Sequence, residues 1–292
     1  MPGSTSFTDA MTLTTVEQDD RTGLYDGELN EHWTIGPKVH GGAMLALCAK
    51  AARIACGSGG QERSDSGIEH RAGEDGGFQP IAVSANYMWA PDPGPMRVRT
   101  SIRKRGRRVS LVDVELTQGD RTAVTVAVTL ADAEHHVPPL LSFNPVVPLM
   151  TPEPPPGLEP IGPGHPMADI VHLAHGCDIR PALHTLGPRS DGGPPVFEYW
   201  VRPKDSAPDV LFALLCGDVS APVTFAVDRS GWAPTVQLTA YLRGLPADGW
   251  LRVMCTAVQI GQDWFDEDHI VVDVEGRIIV QTRQLAMVPP PA

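Results

Sequence analysis

The stretch that decides the fold is Gly41-Gly42-Ala43-Met44-Leu45-Ala46-Leu47-Cys48-Ala49-Lys50-Ala51-Ala52-Arg53-Ile54-Ala55. Behind its two glycines it consists of strong helix formers and is almost wholly apolar for two turns, which predicts a helix buried on most of its sides. Such a helix needs a sheet around it, and the flanks supply one. Upstream, residues 10–35 read as two short strands around the polar turn 18–23, with a further turn at Gly36-Pro37. Downstream, residues 80–89, 96–104, 109–117 and 121–131 read as four strands separated by Pro/Gly turns and by Gln118-Gly119-Asp120. One buried helix followed by an antiparallel meander is an α+β unit.

The same order of elements returns later in the chain. Strand-like stretches at 176–182 and 196–203 precede Pro208-Asp209-Val210-Leu211-Phe212-Ala213-Leu214-Leu215-Cys216-Gly217-Asp218, whose proline is a helix-start signal. Four more strands are expected at 234–243, 250–260, 268–273 and 277–288. Leu47-Cys48-Ala49-Lys50 lies over Leu215-Cys216-Gly217-Asp218, Pro80 with Tyr87 over Pro234 with Tyr241, and Gly119-Asp120-Arg121 over Glu275-Gly276-Arg277. A fused pseudo-dimer explains the repetition. The expected division is an N-terminal unit at 1–132, a connection at 133–166 made stiff by its many prolines, and a C-terminal unit at 167–292. Within the first unit, 57–77 is Gly- and Ser-rich with mixed charge and reads as a mobile surface insertion.

Composition narrows the function. A 292-residue chain with 42% hydrophobic and 20% charged residues can bury a sizeable core. A formal net charge of −12 argues against a general nucleic-acid binder, which needs a clustered basic surface. The one dense basic run, Arg103-Lys104-Arg105 with Arg107-Arg108, reads as a hairpin tip in preference to a phosphate site. Five widely spaced cysteines without a Cys-x-x-Cys pair disfavour a disulfide framework or a zinc ribbon. His172, His175, Cys177 and Asp178 fit no zinc spacing. Residues 1–20 lack a basic start with an apolar stretch behind it, and nowhere do eighteen apolar residues run together, so a soluble cytoplasmic protein without a membrane span is expected. There is no G-x-S-x-G elbow, and Gly57-Ser58-Gly59-Gly60 does not complete a dinucleotide fingerprint. No cofactor and no metal are implied.

Val39-His40-Gly41-Gly42, the run from Tyr87 to Pro91, Pro93-Gly94-Pro95 and Arg105-Gly106-Arg107-Arg108-Val109-Ser110 together resemble the acyl-CoA thioesterase II family over nearly the whole chain. The resemblance implies a double hot-dog fold: two fused units, each a long central helix wrapped by a curved antiparallel sheet. It also implies hydrolysis of a fatty acyl-CoA, with a catalytic acid on the second central helix, a Thr at the start of the next strand and a Gln on the last strand. The matching positions are Asp218, Thr235 and Gln284. At one place the chain departs from the family: a His-bearing strand with an aromatic pair is replaced by Val83-Ser84-Ala85-Asn86-Tyr87, which bears on substrate range.

These residue types suit the chemistry. Thioester hydrolysis needs a water that is deprotonated or oriented as it attacks, and a donor for the oxyanion that forms. Asp218 supplies the base, and Thr235 and Gln284 fix a water without adding charge. The oxyanion donor is expected at the helix start Gly41-Gly42, with the Gly42 N–H preferred and His40 close enough to touch a ligand. In the first half Lys50, Ile81 and Ala127 or Val128 stand at the aligned positions, so one site per chain is expected. Two other readings fit the same fold: a non-catalytic acyl-CoA binding or regulatory protein, and an enoyl-CoA hydratase-like enzyme, which requires a His within reach of Asp218. Further association into homo-oligomers is expected.

Overall fold

The computed structural model describes residues 3–57, 77–135 and 137–291, so nearly all of the expected insertion at 57–77 lies outside the described residues. The chain opens with α1 (Phe7–Ala10), β1 (Thr14–Gln18), β2 (Thr22–Leu29), and the short pair β3 (Thr34–Ile35) and β4 (Lys38–Val39) around Gly36. Then come α2 (Gly41–Gly57), β5 (Gln79–Tyr87), β6 (Gly94–Lys104), β7 (Val109–Gln118) and β8 (Arg121–Ala131). The second series is β9 (Cys177–Pro181), β10 (Val196–Pro203), α3 (Val210–Cys216), β11 (Thr235–Leu242), β12 (Leu251–Thr256), β13 (Trp264–Val272) and β14 (Ile278–Met287).

Twelve of the strands form one sheet in the order β1-β2-β6-β7-β8-β5-β11-β14-β13-β12-β10-β9, and every neighbouring pair is antiparallel. The order is a palindrome: β5 pairs with β11 at the centre, and each first-series strand in this sheet has its counterpart at the same distance on the other side, while β3 and β4 form a separate pair. Alternation drives the pairing, because residues two apart share one face of a strand. In β6, Met96, Val98, Thr100 and Ile102 face inward while the arginines between them face water.

The inner face closes over both helices. α2 buries Gly42 through Ala49, and among its charged residues only Lys50 and Arg53 emerge. Small alanines let it pack closely against α3 and the surrounding strands in a single apolar core. The described residues of segment 133–166 form no strand or long helix, in keeping with its prolines, but the segment does more than span a gap. Val146 and Met150 are buried against Trp200, Trp250, Met254 and Val272 on the opposite face of the second half. The Trp200 indole donates to Thr151 O at 2.8 Å, and Arg252 donates to Met150 O at 3.0 Å.

One element is shorter than expected. Asp209 caps α3 by accepting from the Phe212 N–H at 2.8 Å, and the helix ends at Cys216. The cause is tertiary. A continuing helix would bond Gly217 O to the Ala221 N–H, but Thr282 donates to Gly217 O at 2.6 Å and the Ala221 N–H is accepted by the Tyr199 hydroxyl at 2.8 Å. In a continuing helix the next carbonyl, Asp218 O, would meet Pro222, which has no N–H to give. Asp218 therefore sits in the turn after the helix, a correction to its expected place on the helix itself.

Candidate functional site

Asp218 leaves α3 and comes to rest against the start of α2. Its carbonyl, left without a helical partner, accepts from His40 Nε2 at 2.8 Å. His40 Nδ1 accepts from the Ala43 N–H at 3.2 Å, which fixes the neutral tautomer with its proton on Nε2. The Asp218 carboxylate lies 3.8 Å from that same Nε2, and its side chain is only one-tenth exposed. Burial raises its pKa above the ordinary carboxylate range, while the nearby His40 ring and a hydrogen bond from the Gly42 N–H act in the opposite direction.

This contact also explains the two glycines. A Cβ on Gly41 would stand 2.6 Å from Asp218 Oδ2, and one on Gly42 would stand 2.7 Å from Leu215 O and 3.1 Å from Asp218 Cβ. The close approach they permit is that of the Asp218 turn. The Gly42 N–H, the expected oxyanion donor, lies close enough to the Asp218 carboxylate to act toward lowering its pKa. Tyr87 seals this corner by donating to Gly41 O at 3.0 Å.

Thr235 and Gln284 meet on the adjoining strands. Thr235 Oγ1 donates to Gln284 Oε1 at 3.2 Å. On β14, Gln284 points inward with Thr282 and Ala286, whereas Gln281 bonds Arg243 on the outer side. Among the described residues no hydrogen bond joins Asp218 to either Thr235 or Gln284. The link between the two groups is Glu267 on β13, which sequence reasoning missed. Gln284 Nε2 donates to Glu267 Oε2, the Val223 N–H donates to Glu267 Oε1 at 2.6 Å, and the Asp218 charge adds to the upward shift of the Glu267 pKa. Burial is the larger cause, and Glu267 is pushed up to about 8.

His269, also missed, lies two residues along the same face. Because Thr282 Oγ1 gives its proton to Gly217 O, it accepts from His269 Nδ1 at 3.2 Å, so His269 Nε2 accepts from the Ser220 hydroxyl at 2.9 Å. Burial pushes this imidazole down to about 3. A signal for both residues was present: Phe265-x-Glu267-x-His269-x-Val271 alternates, and its apolar ends place the two polar residues on the buried face. Starting the strand at 268, four residues late, hid Glu267. Cys255, Glu267 and His269 offer ligand atoms within 4.8 Å of one another, yet the imidazole nitrogens and the carboxyl oxygens already hold protein partners.

Among the described residues the first half offers no equivalent. Leu238, opposite Gln284, corresponds to Ser84, and the residue opposite Ser84 is Ala127. The basic run has structural duties: Arg103 pairs with Asp113 at 2.5 Å, and Arg105 donates to Cys56 O at 2.8 Å and Ala55 O at 3.3 Å at the end of α2. His172 is engaged with Thr34 at 2.7 Å and Asp178 with Arg180 at 3.0 Å. No helix among the described residues is long and apolar enough to cross a membrane.

Residues 29–131 match the family model described as the acyl-CoA thioesterase N-terminal domain, and residues 148–288 match the acyl-CoA thioesterase C-terminal domain. An uncharacterized protein of Mycobacterium tuberculosis H37Rv is 63% identical over 97% of this chain and 98% of its own length. Among solved structures, a hot-dog protein of unknown function from Alicyclobacillus acidocaldarius superposes with a TM-score of 0.70 at 18% identity, covering 98% of both chains. An acyl-CoA thioesterase II from Mycobacterium marinum does so at 0.66 with 14% identity, also over 98% of both chains. With both domain models matched in order along one chain, and with neighbours of hot-dog fold, the chain belongs to the acyl-CoA thioesterase II-like family.

Proposed function

We propose that the chain is an acyl-CoA thioesterase, with two hot-dog units at 1–132 and 167–292 joined by 133–166 and one active site at their junction. The observation that carries this reading is the buried Asp218 carboxylate, brought by the second half onto the α2 start of the first half with its pKa raised by burial and checked by His40 and Gly42. Asp218 takes a proton from water as it attacks the thioester carbonyl. Thr235 and Gln284 orient that water, and the α2 start with His40 and Gly41 forms the wall against which the acyl group lies. The palindromic strand order supports the fused-unit reading, and the absence of an acid, a hydroxyl and an amide at the aligned positions Lys50, Ile81 and Ala127 supports a single site.

Thiol release from acyl-CoAs of several chain lengths tests the activity. Asp218→Asn should lower kcat by roughly 100- to 10,000-fold, the usual worth of general-base assistance. A change below about threefold removes Asp218 from the mechanism, and tight acyl-CoA binding without thiol release favours the non-catalytic reading. The hydratase reading gains from His40 lying 3.8 Å from the Asp218 carboxylate, but both ring nitrogens are bonded to main-chain groups and neither is free to deliver a proton. Hydration of an enoyl-CoA faster than thiol release would reverse that ranking.

A further inference from the structure

Glu267 is a carboxyl 2% exposed, with both oxygens bonded: Oε1 to the Val223 N–H and Oε2 to the Gln284 amide. From the other elements packed on it face Asp218 behind α3, Tyr199 on β10, and Cys255 on β12, whose sulfur lies within 4.8 Å of it; His269 lies on its own strand. No cationic side chain is among these partners, so its protonation state is set by burial and by neighbouring acids. Its polar neighbour Gln284 is bonded at the far end to Thr235. A primary amide has a donor end and an acceptor end of nearly the same shape, so whatever holds one end decides what the other end offers.

We infer that Glu267 is a positioning residue for Gln284: its carboxyl decides which end of the Gln284 amide faces Thr235, and the gain or loss of its proton reverses the direction of donation along Glu267, Gln284 and Thr235. With Glu267 ionised, Oε2 accepts from Gln284 Nε2, Gln284 Oε1 accepts from Thr235, and the Thr235 proton is committed. With a proton taken from solvent onto Oε2, Glu267 becomes the donor, the amide turns over, Gln284 Nε2 donates to Thr235 Oγ1, and the Thr235 hydroxyl is released to donate to a water or an oxyanion. Oε1 keeps the Val223 N–H in both states. Glu267 touches no reacting atom in this scheme. The inference rests on the proposed roles of Gln284 and Thr235, and the amide reversal can be observed without them.

The test follows the side-chain NH2 resonance of Gln284 in the full-length chain labelled with 15N-glutamine, from pH 6 to pH 10, assigned by its loss in Gln284→Leu. The wild-type signal should shift with a midpoint near pH 8, and Glu267→Gln should abolish that titration. A Gln284 signal that stays fixed in the wild type, or that titrates equally in Glu267→Gln, overturns the inference; once the signal is assigned, the wild-type arm does not depend on Glu267→Gln folding. In turnover, Glu267→Gln should lower kcat about tenfold with KM unchanged and remove the rate change near pH 8, as expected for about one misdirected hydrogen bond. Wild-type kcat together with an unaltered pH profile in that variant overturns the catalytic consequence. If the wild type releases no thiol while the amide still titrates, the proposed activity fails and the positioning role stands.

Discussion

Raising the pH from 6.5 to 9 should cost the folded chain about 2 kcal/mol through Glu267, and Glu267→Gln should be spared that loss. Glu267 titrates at about 8 in the folded chain against an ordinary value of 4.5. The folded state therefore binds the proton more tightly than the unfolded state between those values, and stability falls as pH rises through that window. Each pH unit in it is worth about 1.4 kcal/mol. Of the 3.5 units between 4.5 and about 8, about 1.5 lie above pH 6.5, which gives the 2 kcal/mol. His269 works in the other direction. Its folded value of about 3 lies below the ordinary 6.5, so the stability it contributes is present above pH 6.5 and is lost as pH falls toward 3. Between pH 4.5 and 6.5 the two slopes oppose each other, so these two groups together give a plateau there and a decline on either side. Urea unfolding at half-unit pH steps, read as midpoints at constant slope, measures the curve. A Glu267→Gln variant whose stability runs parallel to the wild type from pH 6.5 to 9 would refute the burial argument.

Other consequences follow from single contacts. Gly42→Ala puts a Cβ 2.7 Å from a main-chain oxygen that cannot swing away, so it should destabilise by about 1–3 kcal/mol, seen as a lower Tm, and should reduce turnover by displacing the Asp218 turn. Wild-type turnover and Tm in that variant would contradict the packing. Of the five thiols, Cys48, Cys177, Cys216 and Cys255 are buried with pKa values raised by burial, and Cys56 at the end of α2 is half-buried. A thiol reagent should therefore modify one cysteine rapidly in the folded protein and all five in denaturant; fast modification of several in the native state would count against this core. Turnover by the wild type should also rise with pH from below the raised Asp218 value, since a base must be ionised to act. A rate independent of pH across the acid range would argue for a different base.

Much of this protein was legible in one dimension. The apolar run behind Gly41-Gly42 specified a buried helix, and alternation specified the strands of both halves to within a few residues, because helix burial and sheet burial leave different periods in the sequence. The inward position of Gln284 and the outward position of Gln281 follow from the same period of two. Where the alternation was read from too late a start, on β13, Glu267 was lost. Other features had no local signature. The end of α3 is set by Thr282 and Tyr199, which lie 65 and 22 residues from their main-chain partners at Gly217 and Ala221. The need for two glycines at 41 and 42 comes from a turn more than 170 residues away. The upward shift of Asp218 comes from burial, opposed by His40 and Gly42 more than 170 residues away, and that of Glu267 from burial beside Asp218. Periodicity is a property of a segment and its own solvent boundary, so sequence alone determined the elements and the faces they bury. Proton affinity, hydrogen-bond direction and close approach depend on which segments meet, and only the tertiary structure decided those.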